Sequence, residues 1–197
     1  MQPNDTRARI LERMFHDIHK NGFQGLRADK VVADMGITKG ALYHYFDGKD
    51  AIGLAVIGEI IEPNYLCFFR GLKAYAGHPI DALQGHLQHL ADKATDADIS
   101  LGCPLNNLAQ EMSPLSEDFR ARLQVVFDTM IKTSAQVLED GKVRGQVKTE
   151  TDTGAVASFM VAAMEGAYST AKVKRSAAVF QQNIRELQKY LDLFRQV

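Results

Sequence analysis

The chain has 197 residues, 46% hydrophobic and 24% charged, with a formal net charge of −1; this is the composition of a globular protein with a sizeable core in one or two domains. No stretch approaches the ~18 apolar residues of a membrane span, the N-terminus is polar rather than signal-like, and two cysteines, Cys67 and Cys103, are too few for a disulfide framework, which fits a reducing cytoplasm. The first 50 residues hold eight Lys/Arg against seven Asp/Glu, so charge alone does not point to nucleic acid, and the lack of Trp and of β-branched runs favours an all-helical chain.

Residues 1–4 read as a loose tail. Asp5 or Thr6 can cap a first helix running to about Lys20, with Ile10, Leu11, Met14, Phe15 and Ile18 as its apolar stripe and Asn21-Gly22 as its stop. Phe23 is expected to pack under a second helix, Arg27 to Met35. Gly36 then supplies a left-handed turn, and Thr38 stands where an N-cap belongs. From Lys39 to Phe46 the spacing is helical: Leu42 and Phe46 share an inward face, while Lys39 and Tyr43 share an outward one beside Gly40 and His44. Helix, glycine turn and capped short helix make a helix-turn-helix, whose second helix enters the major groove.

These residues also carry a resemblance. The segment GITKGALYHYFDGKDAI is similar to the signature of the TetR family of one-component transcriptional regulators, at Gly36, Thr38, Gly40, Leu42, Tyr43, Phe46 and Lys49. It is strong over about the first fifty residues and weak beyond them. It implies an all-α protein of about nine helices: a three-helix helix-turn-helix domain at residues 1–49, then a larger effector-binding and dimerisation domain at 50–197. It also implies a homodimeric repressor on a palindromic operator, without cofactor or metal. Where the family has Ser or Thr opening the helix before the turn, this chain has Leu26 and Arg27, and Arg27 could supply a charged substitute.

On the DNA-facing side, Lys39 and Lys49 are expected to neutralise phosphates, each adding roughly −0.9 to the salt slope of binding. Tyr43 and Tyr45 offer hydroxyl donors to phosphate. Gly40 allows close approach of the helix start. Thr38, Ala41 and His44 are the candidates for base edges, Ala41 by its methyl and His44 by a ring donor.

A long helix is expected from Lys49 to Tyr75, bent where Pro63 removes a hydrogen bond; it would link the two domains mechanically. Pro79 suits the first turn of a helix to Thr95. Asp96–Gly102 reads as a polar loop, Cys103-Pro104 opens a short helix to Met112, and another runs from Ser116 or Glu117 to Asp140. Residues 141–152 read as a loop with an extended stretch at Gln146–Lys148. Thr153 to Val173 is a helix rich in small residues. Ser176 can cap the last one, where Phe180, Ile184, Leu187, Leu191 and Phe194 recur at spacings of 4, 3, 4 and 3. That seam either doubles about a two-fold axis into a four-helix bundle, the reading preferred here, or packs inside one chain.

The middle helices mix large apolar residues with isolated polar ones, as a small-molecule site requires. Candidate lining residues are Phe68, His86, His89, Cys103, Asn107, Glu111, Phe127, Met130, Met164 and Tyr168. His86 and His89, with Asp92, have a spacing that could hold a metal, but no further ligand joins them, so a pocket or surface face is preferred. Cys67, inside an apolar run, reads as core. Cys103 opens a helix, which lowers a thiol pKa. The segment GCPLNNLAQEMSPLSEDFR resembles a branch of the family with Gly-Cys here, some of whose members respond to oxidants or electrophiles; Lys172, in AKVKRS, matches a lysine near that cysteine. No catalytic constellation or phosphate loop is present, so the chain is read as no enzyme. A helical protein–protein adaptor without DNA binding is the remaining rival.

Overall fold

The structure, a computed structural model, describes residues 3–73 and 75–196, and of residues 3, 4, 68, 70 and 73 only the backbone. Eleven α-helices follow one another among the described residues: α1 Pro3–Asn21, α2 Ala28–Asp34, α3 Lys39–Tyr45, α4 Gly48–Val56, α5 Glu62–Lys73, α6 Pro79–Lys93, α7 Asp96–Leu101, α8 Pro104–Met112, α9 Glu117–Val143, α10 Thr153–Lys174 and α11 Ala177–Asp192. A π-helical turn, Ile57–Ile61, joins α4 to α5. The chain is all-helical, with an N-terminal helix-turn-helix and a larger helical C-terminal part. If α4, the π turn and α5 are taken as one rod, the nine expected helices are present and α7 is a tenth.

Several boundaries differ from expectation for local reasons. Helix α1 already includes Pro3 and Asn4, so neither Asp5 nor Thr6 caps it; a proline in the first turn loses no helical bond. Residues 1 and 2 lie outside the described residues. Asp96–Leu101 is helical, because Thr95 Oγ1 accepts from the amide of Asp98 at 3.1 Å and starts a turn within a polar stretch. The break expected at Pro63 takes the form of the π turn just before it, where the amide of Glu62 bonds to the carbonyl of Ile57. Widening the helix there accommodates a proline with no N–H to give. Ser176 caps α11 through the amide of Val179, and the extended stretch is an isolated bridge between Val147 and Arg195.

By packing, the chain divides into two compact units: Met1–Asn64 with Pro104–Val125, and Tyr65–Cys103 with Val126–Val197. In the first, Ile10, Met14, Leu42, Ile52 and Ile57 are fully buried, and Phe23 lies against Phe119 at 4.7 Å between ring centroids. Gly53 sits under both rings; a Cβ there would stand 2.5 Å from each. In the second, Ile80, Leu83 and Leu87 of α6 are fully buried, and α6 packs against α11. Reciprocal glutamines fasten that contact, each amide donating to the other's backbone carbonyl: Gln84 to Gln188 at 2.9 Å and Gln188 to Gln84 at 3.0 Å.

The α11 seam is corrected by this packing. Phe180, Ile184 and Leu191 have no exposed surface in the single chain and Leu187 has 5%. They face α6 and α10 of their own unit, so they do not form a dimer surface. Phe194 lies past the end of α11 and contacts the ring of Tyr190. Cys67 is also corrected: its side chain is exposed, not core.

Candidate functional site

The turn between α2 and α3 is built by the backbone. The amide of Gly36 bonds to Ala33 O and that of Ile37 to Val32 O, both at 2.9 Å, with Gly36 at φ +71°. This paired closure of a helix end needs a left-handed residue, which glycine supplies without a steric penalty. Thr38 then adopts extended backbone and its Oγ1 accepts from Ala41 N at 3.2 Å, fixing the start of α3. Leu42 and Phe46 are buried and hold the helix down. Thr38, Lys39, Gly40, Tyr43 and His44 are exposed, and Ala41 and Tyr45 are partly so. A Cβ on Gly40 would meet nothing within 4 Å, so the start of α3 is open to a large partner.

Within this surface Lys39 does not stand alone. Its Nζ lies 2.8 Å from Asp29 of α2, and the hydroxyl of Tyr43 donates to the same carboxylate at 3.4 Å. The Asp29 hydrogen bond, then its charge, hold the Lys39 ammonium above its ordinary pKa. Asp29 is a residue that sequence reasoning missed, since ten positions separate it from Lys39 and no helical period relates them. Arg27 is exposed at the head of α2 and makes no side-chain cap. Lys49 is turned inward: its Nζ donates to Gln24 O at 3.0 Å and lies 5.0 Å above the ring of Phe23. It serves the packing of α4 against the segment before α2.

That same segment is held from α8. Glu111 Oε2 accepts from Phe23 N at 2.9 Å and Oε1 from Gln24 N at 2.7 Å. With both oxygens so used, Glu111 is a clamp on the DNA-facing unit and not an effector anchor. Asn107 borders, with Glu111, a crevice of about 10 Å³, enough for about one water.

In the second unit the expected lining residues separate. Met130 and Met164 are buried core. His86 is buried against Phe69, 4.7 Å between ring centroids; burial, with the nearby charge of His89, lowers its pKa to about 3, so the ring is neutral. His89 is exposed, so this pair does not face one site. Phe127 is half-buried. The ring of Tyr168 lies tilted against that of Phe180, 4.3 Å between centroids. The side chain of Phe68 lies outside the described residues.

Cys103 is 2% exposed and sits in a polar cluster. The hydroxyl of Tyr65, from α5, is 2.9 Å from Sγ, and Sγ is 3.4 Å from Glu165 Oε1 of α10. Glu165 is 6% exposed, and its Oε2 has no hydrogen-bond partner. Burial raises its pKa to about 7, against the pull of the thiol hydrogen bond; burial likewise pushes the Tyr65 and Tyr168 hydroxyls above their ordinary values. Glu165 was absent from the sequence candidates, although it is the one acidic residue between Gly154 and Lys174. Lys172 is half-buried, two helical turns beyond Glu165 on α10.

A glycine-turned, threonine-capped short helix with an exposed lysine, tyrosine and histidine defines a DNA-binding helix-turn-helix regulator. Comparison with known proteins gives the family. The model described as "Bacterial regulatory proteins, tetR family" matches residues 13–56. That for the C-terminal domain of LmrA/YxaF-like transcriptional regulators matches residues 79–186, more than half of the chain. The chain belongs to the TetR family of transcriptional regulators, and its similarity extends to named repressors. The repressor DhaR of Mycobacterium sp. (strain GP1) is 23% identical over 176 residues, 89% of this chain and 87% of that one. The repressor NemR of Escherichia coli (strain K12) is 25% identical over 173 residues, 88% of this chain and 87% of that one. In fold, the chain is similar to a TetR regulator from Chloroflexus aurantiacus J-10-FL, with a TM-score of 0.86 at 24% identity over 99% of this chain and 98% of that one.

Proposed function

We propose that this TetR-type regulator represses transcription as a homodimer on a palindromic operator in the cytoplasm, and that a small molecule bound in the C-terminal part releases it. The functional division inferred is a DNA-binding module at residues 1–49 and an effector-binding and dimerisation module at 50–197. The observation that carries the DNA reading is the outward face of α3, where Lys39, Gly40, Tyr43 and His44 stand exposed while Leu42 and Phe46 anchor the helix. Lys39 and the Tyr43 hydroxyl would exchange Asp29 for phosphate, Arg27 and Tyr45 would add backbone contacts, and Thr38, Ala41 and His44 would meet base edges. Lys49 would act through its hold on Gln24.

With the α11 seam buried, the copy-to-copy face is assigned to α10. Its outward residues are Phe159, Ala162, Gly166, Thr170 and Val173, with Phe159 51% and Val173 86% exposed. That row carries no charge, and its small side chains let two copies approach closely about a two-fold axis. A gel shift with duplex DNA from upstream of the gene, read with sedimentation of the complex, tests the proposal. It expects two chains per operator; one chain per site, or no retardation at low salt, would remove it.

A second reading is favoured by the cluster around Cys103. A buried thiol between a phenol and a carboxyl, directly preceding α8 in the chain, could instead be the point of release, modified by an oxidant or electrophile. Cys103→Ser separates the two: a mutant still released by oxidant has its switch elsewhere.

A further inference from the structure

Three polar groups of the second unit converge in its interior. Sγ of Cys103 lies 2.9 Å from Tyr65 Oη and 3.4 Å from Glu165 Oε1. Glu165 Oε2 lacks a hydrogen-bond partner although the residue is 6% exposed. A buried carboxyl with an unused oxygen is costly, and α10 places this one beside the unit's only buried thiol. We propose that Glu165 is the proton acceptor that arms Cys103 toward soft carbon electrophiles, with Tyr65 donating to the sulfur as its charge develops. The inference rests on the second reading above only for its consequence at DNA; the chemistry stands apart from it.

With a haloacetamide, the Sγ–carbon bond forms as the carbon–halogen bond breaks and halide leaves. The sulfur-bound proton passes to Glu165 Oε1, and from there to water. No oxidant or reductant enters. Glu165 must be ionised to accept the proton, and burial sets that ionisation near neutrality, at about 7. Tyr65 comes from α5 and Tyr168 from α10. Asp98 of α7 acts on Tyr168. Lys172 is two turns along α10, and α11 presents the apolar Phe180 to Tyr168.

The test uses full-length protein carrying Cys67→Ser, so that one thiol remains, and follows alkylation by iodoacetamide from pH 5.5 to 9 by intact mass. The parent rate should climb through a midpoint near 7. Glu165→Gln should lose that limb and react about tenfold or more slowly at pH 7.5, approaching the parent only in alkali. Tyr65→Phe should lower the rate without moving the midpoint. Glu165→Asp, which keeps the carboxyl, should retain the shape of the profile and serves if the glutamine variant fails to fold. A glutamine profile that overlays the parent's, or runs faster, overturns the proposal; so does an aspartate variant without the neutral midpoint. Operator binding by the alkylated protein is read separately: retained binding ends the sensor reading and leaves the proton acceptor standing.

Discussion

Asp29 places a negative charge against Lys39, the side chain proposed to meet phosphate. Its pair with Lys39 is exposed on both sides, 66% and 52% for the side chains, so water and salt screen it and it adds little to folding. Its effect is expected in binding. Lys39→Ala should weaken operator affinity and reduce the salt slope by about 0.9 per site, while Asp29→Ala should tighten binding by removing a competitor of phosphate. Fluorescence anisotropy of labelled operator between about 50 and 200 mM salt checks both. Two buried residues set opposite pH dependences. Glu165 keeps its proton up to about 7 in the folded chain but loses it near 4.3 when unfolded, so between those values the folded state binds more protons and stability falls as pH rises. His86 resists protonation down to about 3, whereas an unfolded histidine protonates near 6.5, so stability is lost as pH falls below that value. The two slopes oppose each other between about 4.5 and 6.5. Glu165→Gln should therefore expose a stability that rises with pH across that window, and should melt higher than the parent at pH 8; thermal denaturation at pH 5, 6.5 and 8 reads both.

Among the elements, α4 and α8 decide how the DNA-binding unit is held. Alanine is ordinarily about 1 kcal/mol better than glycine inside a helix. At Gly53 a Cβ would stand 2.5 Å from the rings of Phe23 and Phe119, and overpacking of that kind costs about 1–3 kcal/mol. With both rings at that distance the second effect wins, so Gly53→Ala should lower stability in urea by up to about 2 kcal/mol. Glu111 of α8 accepts two backbone amides ahead of α2, bonds that are stronger for being made to a charged group. Glu111→Gln keeps one acceptor and should cost about 1–2 kcal/mol. Amide exchange at Phe23 and Gln24 should quicken with it; unchanged exchange there would mean the clamp does not order the segment.

For the whole molecule, the stripe of α11 is buried within its own chain while α10 keeps an exposed row, so the proposed two-fold contact is tested on α10. Phe180→Ala removes a ring with no exposed surface and should destabilise the chain by about 3–5 kcal/mol without changing its assembly state. Phe159→Asp alters a half-exposed ring and should cost the fold less than about 1 kcal/mol, yet shift sedimentation from dimer to monomer. The reverse pair of outcomes would return the two-fold contact to α11.

What the sequence by itself determined is what is encoded between near neighbours. Gly36, Thr38, Leu42 and Phe46 lie within eleven residues and set the turn, the cap and the buried side of α3, so the helix-turn-helix was legible residue by residue. The all-helical class followed from periodicities as short. Which neighbour an apolar stripe meets is not a local property. The seam from Phe180 to Leu191 has the spacing of a coiled coil whether its partner is another chain or α6 and α10 of its own, and only the tertiary structure chose. The same holds for Lys49, drawn inward by Gln24, for Glu111, used by the amides of Phe23 and Gln24, and for Glu165, whose chemistry exists because α10 carries it to Cys103 from 62 residues away. Spacing along a helix is fixed by 3.6 residues per turn, whereas the meeting of distant charges depends on how every helix between them packs.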